Sequence, residues 1–239
     1  MNILFVGNSH TFFNDMPRTF ARLWEAGTGE AIRPPMLLCH PGMGFDYHLR
    51  EYFELRYNLL YGGFDYVVFQ QKAHPFAGEE ADFEAGKKLA LLAKKAGVTP
   101  VFALTWAEAD APEHQAAMDS FHRRLCQETG ALLSPVGTAW QLALGTASRL
   151  ALCEAQRPQL YWQDGQHASV YGDYLVACTH YRLLSGRSAL GLPSLGCDFS
   201  DPDKPGILED AGRCESDLDP AVCAVIQQAV EAAFDETNE

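Results

Sequence analysis

The chain has 239 residues, 47% of them hydrophobic and 21% charged, which is long enough to bury a sizeable core and excludes a disordered or low-complexity chain. Its formal net charge of −13 lacks the basic footprint that nucleic acid or an anionic membrane would require, so no nucleic acid and no membrane is expected as a partner. No run approaches the roughly 18 apolar residues of a membrane span, and the chain opens into a strand rather than a secretory leader, so a cytoplasmic location is expected. Seven cysteines, Cys39, Cys126, Cys153, Cys178, Cys197, Cys214 and Cys223, form no Cys-x-x-Cys pair and are expected as reduced thiols, mostly in the core.

Short β-rich runs alternate with longer stretches of helical spacing, the pattern of a parallel sheet covered on both faces. Ile3 to Val6 reads as strand one and breaks at Gly7-Asn8-Ser9-His10-Thr11; Phe13 to Ala26 then reads as a helix that Gly27 ends. Met36 to Cys39 is strand two, placed at a sheet edge by the preceding Pro34-Pro35. Asp46 to Leu60 is helical and stops at Gly62-Gly63. Tyr66 to Phe69 is strand three, running into Gln70 and Gln71. Phe83 to Lys95 is an amphipathic helix and Val101 to Leu104 strand four. A helix from Pro112 to Glu128, a short fifth strand at Ala131 to Leu133 and a helix from Ser169 to Leu184 complete a core of about residues 1–186. From about 187 to 219 Gly, Pro and Asp dominate without periodicity, as in an irregular surface excursion. Residues 220–235 resume a helical pattern suited to docking, so one domain over 1–239 is expected.

The chemistry gathers where strands end, because in a parallel sheet the loops at the carboxyl ends converge on one rim. A serine hydroxyl is a weak nucleophile unless an imidazole takes its proton and a third group fixes the imidazole's tautomer. Ser9 follows strand one, and Asp164-Gly165-Gln166-His167 supplies a base and an orienting carboxylate at i, i+3 in a turn. The bland alternatives are a turn serine and a helix-start aspartate.

These pieces resemble the SGNH (GDSL-type) hydrolases. Ile3-Leu4-Phe5-Val6-Gly7-Asn8-Ser9 is similar to the nucleophile block, Gly42-Met43-Gly44 to the second-block glycine, and Asp164-Gly165-Gln166-His167-Ala168-Ser169 with Gly172-Asp173-Tyr174-Leu175 to the last block. The resemblance implies oxyanion donors from the backbone N–H of Ser9, the backbone N–H of a glycine after strand two, and a side-chain amide after strand three. Gly44 fits the second, with Gly42 its competitor. The usual asparagine is absent from the third position, where Gln70 and Gln71 stand. Adjacent residues of a strand face opposite ways, which favours Gln71, with His74 as an outside candidate and a turn cap as the bland reading. This glutamine variant resembles carbohydrate O-acetyl esterases.

Gln70, His74, Trp106, Tyr161 and Trp162 are further candidates to line a substrate pocket, the aromatics being suited to a sugar face or a short acyl group. His10 is expected at the rim or behind the site. His40, His48, His114, His122 and His180 lack metal-ligand spacing, and Gly42-x-Gly44 lacks the rest of a dinucleotide fingerprint, so no metal and no cofactor is expected. The expected fold is a three-layer α/β/α sandwich around a mainly parallel five-stranded sheet of flavodoxin-like order 2-1-3-4-5. The expected activity is a serine esterase acting through an acyl-enzyme on small esters, acetyl first, carried by a small molecule or a carbohydrate. A thioesterase or lysophospholipase is the alternative within the class, and a carbohydrate-binding module without turnover the alternative outside it.

Overall fold

The computed structural model describes residues 1–149, 158–197 and 215–237. In chain order the elements are β1 (Ile3–Gly7), α1 (Ser9–Phe12), α2 (Met16–Thr28), β2 (Met36–Cys39), α3 (Phe45–Arg50), α4 (Tyr52–Tyr61), β3 (Tyr66–Gln70), α5 (Glu80–Lys95) and β4 (Thr99–Ala103). A 3₁₀ turn (Pro112–His114) then leads into α6 (Gln115–Thr129), β5 (Leu132–Ser134), α7 (Val136–Arg149), α8 (Val170–Ser185), β6 (Leu195–Cys197), β7 (Glu215–Asp217) and α9 (Pro220–Thr237). They divide into two compact units, Met1–Thr11 with Ile32–Gly137 and Phe12–Ala31 with Thr138–Glu239.

The first unit holds a five-stranded sheet of order β2-β1-β3-β4-β5, every neighbouring pair parallel. The register sets Leu4 opposite Met36, Ile3 opposite Tyr66, Tyr66 opposite Thr99 and Val101 opposite Leu132. On one face Leu4, Val6, Val67, Phe69 and Phe102 pack in a single cluster with Phe45 of α3, Leu55 of α4, Leu89 of α5 and Leu125 of α6. The alternating residues Ile3, Phe5, Val68 and Val101 are equally buried on the other face, which explains strands that read as continuous apolar runs. The class, the strand order and the edge position of β2 agree with the sequence reading.

Helix boundaries differ where the backbone departs from its period. The helix expected over Phe13 to Ala26 starts later, at Met16, because Asp15 adopts a left-handed conformation (φ 51°) and α2 begins behind it with Pro17 in its first turn; it runs on to Thr28, with the short turn α1 preceding it. The helix expected over Asp46 to Leu60 breaks at Glu51 (ψ 49°) into α3 and α4. Helix α7 was not expected at all, although Val136, Ala139, Trp140 and Ala143 are buried at helical spacing.

In the second unit Ser169 caps α8, its hydroxyl accepting from the N–H groups of Tyr171 (3.1 Å) and Gly172 (3.2 Å). The reading of residues 187–219 as an irregular surface excursion is corrected for 187–197; residues 198–214 lie outside the described residues. Leu195–Cys197 pairs antiparallel with Glu215–Asp217, and Ala189, Leu192 and Cys197 are buried. Two side chains of α9 hold this segment, a device that hydrophobic periodicity does not register. Glu231 accepts from the Ala189 N–H (2.6 Å) and the Ser188 hydroxyl (3.0 Å), and Gln227 accepts from the Gly191 N–H (2.9 Å) and donates to the Leu192 carbonyl (2.9 Å). Cys126, Cys178, Cys197 and Cys223 are buried thiols, whereas Cys153 and Cys214 lie outside the described residues. No helix among the described residues is long and apolar enough to cross a membrane.

Gly172 sits in the first turn of α8, where alanine would ordinarily favour the helix by up to about 1 kcal/mol. Here a Cβ would collide with the backbone carbonyl of Leu160 and lie 2.7 Å from the Trp140 ring. Gly172→Ala should therefore destabilise the protein, by about 1–3 kcal/mol in urea unfolding; a neutral or stabilising effect would contradict this packing.

Candidate active site

Of the residues singled out by sequence, Ser9, Gly44, Gln70, Gln71, His74 and Trp106 belong to the first unit, and Trp162, Asp164 and His167 to the second.

In the first unit β1 ends at Gly7 and Ser9 heads the short helical turn α1. A Cβ at Gly7 would lie 2.5 Å from the Thr11 hydroxyl and 3.0 Å from Gln70 Oε1, so the glycine is required for close approach, not for a left-handed backbone. The turn is built on Asn8. Its backbone N–H donates to Gln70 Oε1 (3.3 Å), its Oδ1 accepts from the His10 N–H (3.1 Å), and its Nδ2 donates to the Met43 carbonyl (2.9 Å). Asn8 thus ties the Ser9 turn to the loop carrying Gly42 and Gly44, and sequence reasoning passed it over. The signal was an Asx residue at a strand end, whose side chain can cap the backbone two residues on. His48, also passed over, donates from Nε2 to the Gly7 carbonyl (2.9 Å), and burial lowers its pKa.

The two glutamines are buried, and each holds a loop. Gln70 Oε1 accepts from Asn8 N–H and from the Thr11 hydroxyl (3.1 Å), while its Nε2 donates to the Gln71 carbonyl. Gln71 Oε1 accepts from the Phe45 N–H (2.8 Å) and the Lys72 N–H (3.0 Å), directly beside Gly44, and its side chain also hydrogen-bonds the Asp82 carboxylate. β3 stops at Gln70, so the alternation from which Gln71 was favoured over Gln70 does not extend to Gln71. Close by, the His10 ring meets His74 edge-on at 4.5 Å and Trp106 at 5.3 Å, and His74 Nε2 donates to the Trp106 carbonyl (3.0 Å). His10, expected at the rim or behind the site, is buried.

In the second unit Asp164 and His167 share a turn closed by the Tyr161–Ala168 bridge and by the Trp162 N–H donating to the His167 carbonyl (2.8 Å). Gly165 takes the left-handed conformation (φ 70°) that lets the chain reverse. Asp164 Oδ1 accepts from the N–H groups of Gln166 and His167, both at 2.9 Å, and Oδ2 accepts from His167 Nδ1 at 2.6 Å. Partial burial pushes the Asp164 carboxyl up, but the His167 ring and the two backbone donors outweigh it and hold the group below the usual carboxylate range. The His167 ring stacks on Phe13 (4.5 Å, 23°), and Phe13 also meets Trp162 edge-on at 5.2 Å.

Behind this turn lies a brace that the sequence did not announce. Asn14 Nδ2 donates to the carbonyl of Ala168, the residue after His167 (3.0 Å), and the Asn14 N–H donates to Asp173 Oδ2 (3.0 Å). Asp173 is buried in the first turn of α8, and desolvation pushes its pKa up to about 8 against the bonds from Asn14. Asn14 Oδ1 and Asp173 Oδ1 are both buried without a partner among the described residues, and a proton on Asp173 would supply a donor to that pair.

Among the described residues no group of three His, Cys, Asp or Glu side chains is placed to hold a metal ion. No family profile matches the sequence, and no curated protein is similar to it. Solved structures are. A candidate SGNH hydrolase from Slackia heliotrinireducens superposes with a TM-score of 0.61 at 26% identity, over 77% of this chain and 98% of that one. The psychrotrophic esterase EstA from Pseudoalteromonas sp., in a structure inhibited by monoethylphosphonate, gives 0.55 at 13% identity over 77% and 97%. An acetyl xylan esterase gives 0.57 at 13% identity over 77% and 100%. The chain has the α/β/α fold of the SGNH (GDSL-type) hydrolases.

Two outcomes follow from the braces. Gln70→Leu leaves the buried Asn8 N–H and Thr11 hydroxyl without their acceptor and should cost about 1–3 kcal/mol in urea unfolding; an unchanged midpoint would remove Gln70 from this role. For Asp173, a folded pKa raised from 3.8 to about 8 means that the folded protein keeps a proton the unfolded chain releases. This contribution to stability is complete below pH 3.8 and is lost as pH rises through about 8. Asp173→Asn should flatten the fall in Tm between pH 5 and 9, and a slope equal to that of the wild type would overturn the assignment.

Proposed function

We propose that the protein is a serine esterase that hydrolyses short acyl esters, acetyl above all, carried on a carbohydrate. The observation that carries this reading is the 2.6 Å bond from His167 Nδ1 to Asp164, made in a turn that also gives Asp164 two backbone donors. With its proton committed to Nδ1, the neutral ring has its lone pair on Nε2, the state a general base requires. The fold shared with SGNH hydrolases supports Ser9 as the nucleophile, since it follows the first strand at the carboxyl end of the sheet. The acetyl xylan esterase among the similar structures supports the substrate class.

In this reading Ser9 Oγ attacks the ester carbonyl carbon as His167 Nε2 takes the hydroxyl proton, and Asp164 holds the resulting imidazolium. The backbone N–H groups of Ser9 and Gly44 and the Gln71 amide receive the developing oxyanion. His167 returns the proton to the departing alkoxide, leaving an acyl-enzyme. Water then attacks with His167 again as base, releasing the acid and restoring Ser9. The sequence needs no cofactor. Trp162, Trp106 and His74 complete the proposed surroundings of the substrate.

A fluorophosphonate probe should label the wild type at one equivalent and Ser9→Ala not at all, and hydrolysis of para-nitrophenyl acetate should vanish with the labelling. Undiminished labelling of Ser9→Ala would sink the triad. For the amide, Gln71→Glu keeps an oxygen for the Phe45 and Lys72 N–H groups but removes the donor; because it also sets a carboxylate beside Asp82, it is read on protein shown to be folded by circular dichroism. It should lower kcat by about 100- to 1000-fold with little change in KM, because such a donor acts mainly on the transition state. Near-wild-type kcat would require another donor, with His74 next to be tested.

A further inference from the structure

The apolar surface of this protein is unevenly distributed. Of eleven large hydrophobic side chains exposed among the described residues, eight fall between Met36 and Tyr61. Five belong to α4, which buries only Leu55 and Leu59. Its sequence, Tyr-Phe-Glu-Leu-Arg-Tyr-Asn-Leu-Leu-Tyr, carries large apolar side chains on the outward side as well as the inward one, where a surface helix ordinarily turns polar residues to solvent.

On the outward side Phe53, Tyr57 and Tyr61 stand one turn apart, with ring centroids 6.1 Å apart at each step and exposures of 66%, 49% and 79%. Tyr52 and Leu60 flank the stripe and border a groove of about 260 Å³ shared with Leu92 of α5, wide enough to accept a side chain. From the geometry we infer that this face is the contact of a two-fold homodimer, α4 lying antiparallel against α4 of a second copy.

Three observations favour a second copy over other occupants. The stripe is self-complementary: with the two-fold axis at Tyr57, the Tyr57 rings meet and each Phe53 faces the other copy's Tyr61, as an isologous contact requires. At roughly 200 Å² for a fully exposed large side chain, the five exposed residues of α4, between 39% and 79% exposed, offer about 550 Å² of apolar surface, and with roughly 65% of a homodimer interface apolar that matches the apolar share of the roughly 800 Å² one partner contributes to a standard interface. Charge decides the remainder. The protein carries −13, which opposes close approach of two copies over most of its surface, but α4 holds one Glu54 and one Arg56 and is neutral. The same acidity disfavours an anionic membrane or nucleic acid on this face.

Sedimentation velocity of the full chain from about 1 to 100 μM should show a dimer. Tyr57→Asp sets two carboxylates against each other across the axis and should weaken it at least tenfold, and Phe53→Asp provides the same reading should Tyr57→Asp fail to fold by circular dichroism. Leu91→Asp, an exposed apolar position on α5 outside the stripe, should dimerise like the wild type. A wild type monomeric throughout this range would overturn the inference, as would a dimer that both aspartate variants leave intact. Binding of a neutral polysaccharide such as xylan to a monomeric wild type, lost in Tyr57→Asp, would assign the stripe to a glycan instead.

Discussion

The carboxyl end of the sheet depends on buried side-chain amides that substitute for secondary structure where the strands stop. Gln70 Oε1 takes the Asn8 N–H and the Thr11 hydroxyl, Asn8 takes the His10 N–H and reaches the Met43 carbonyl, and Gln71 takes the N–H groups of Phe45 and Lys72. A loop buried at this depth carries backbone donors that water cannot reach, and each left unmet costs about 1–3 kcal/mol. Amides suit the task because a single neutral side chain offers both donor and acceptor, without the desolvation cost of a charge. The Ser9 turn, the Gly44 loop and the end of β3 are thereby fixed to one another within a single hydrogen-bonded network. Gly7 belongs to the same design, since the amide of Gln70 occupies the space a side chain at position 7 would need.

Strand positions were legible in the sequence because a strand buried on both faces leaves an unmistakable apolar run, and Pro34-Pro35 marked the edge. The Asp164–His167 turn was legible too, since its spacing and Gly165 belong to a local motif whose partners lie three residues apart. What escaped detection was long-range or conformational. Asp15 and Glu51 interrupt helices through backbone angles that no periodicity records, and α7 was missed because its apolar stripe contains alanines of weak signal. The pair Gln70 and Gln71 was noticed as a chemical oddity, yet their actual partners, Asn8, Thr11, Phe45 and Lys72, are fixed by how loops from separate strands converge. Only the fold supplies that.

The second unit shows how one short stretch of chain can hold two carboxyl groups in opposite states. Asp164 is partly exposed and receives the His167 ring and two backbone N–H groups, so its anion is favoured. Asp173, nine residues on, is sealed in the first turn of α8 with Asn14, and burial favours its protonated form up to about pH 8. Opposed shifts of neighbouring titratable groups are the means by which a fold assigns distinct roles to identical side chains. Kept neutral, Asp173 still anchors the backbone through Asn14, while Asp164 accepts from the His167 ring. Asn14 joins the two, since the side chain that bonds the residue after His167 belongs to the residue whose N–H bonds Asp173. The turn that carries the imidazole is thus tied to the first turn of α8 through Asn14, while the carboxylate that accepts from its Nδ1 is Asp164.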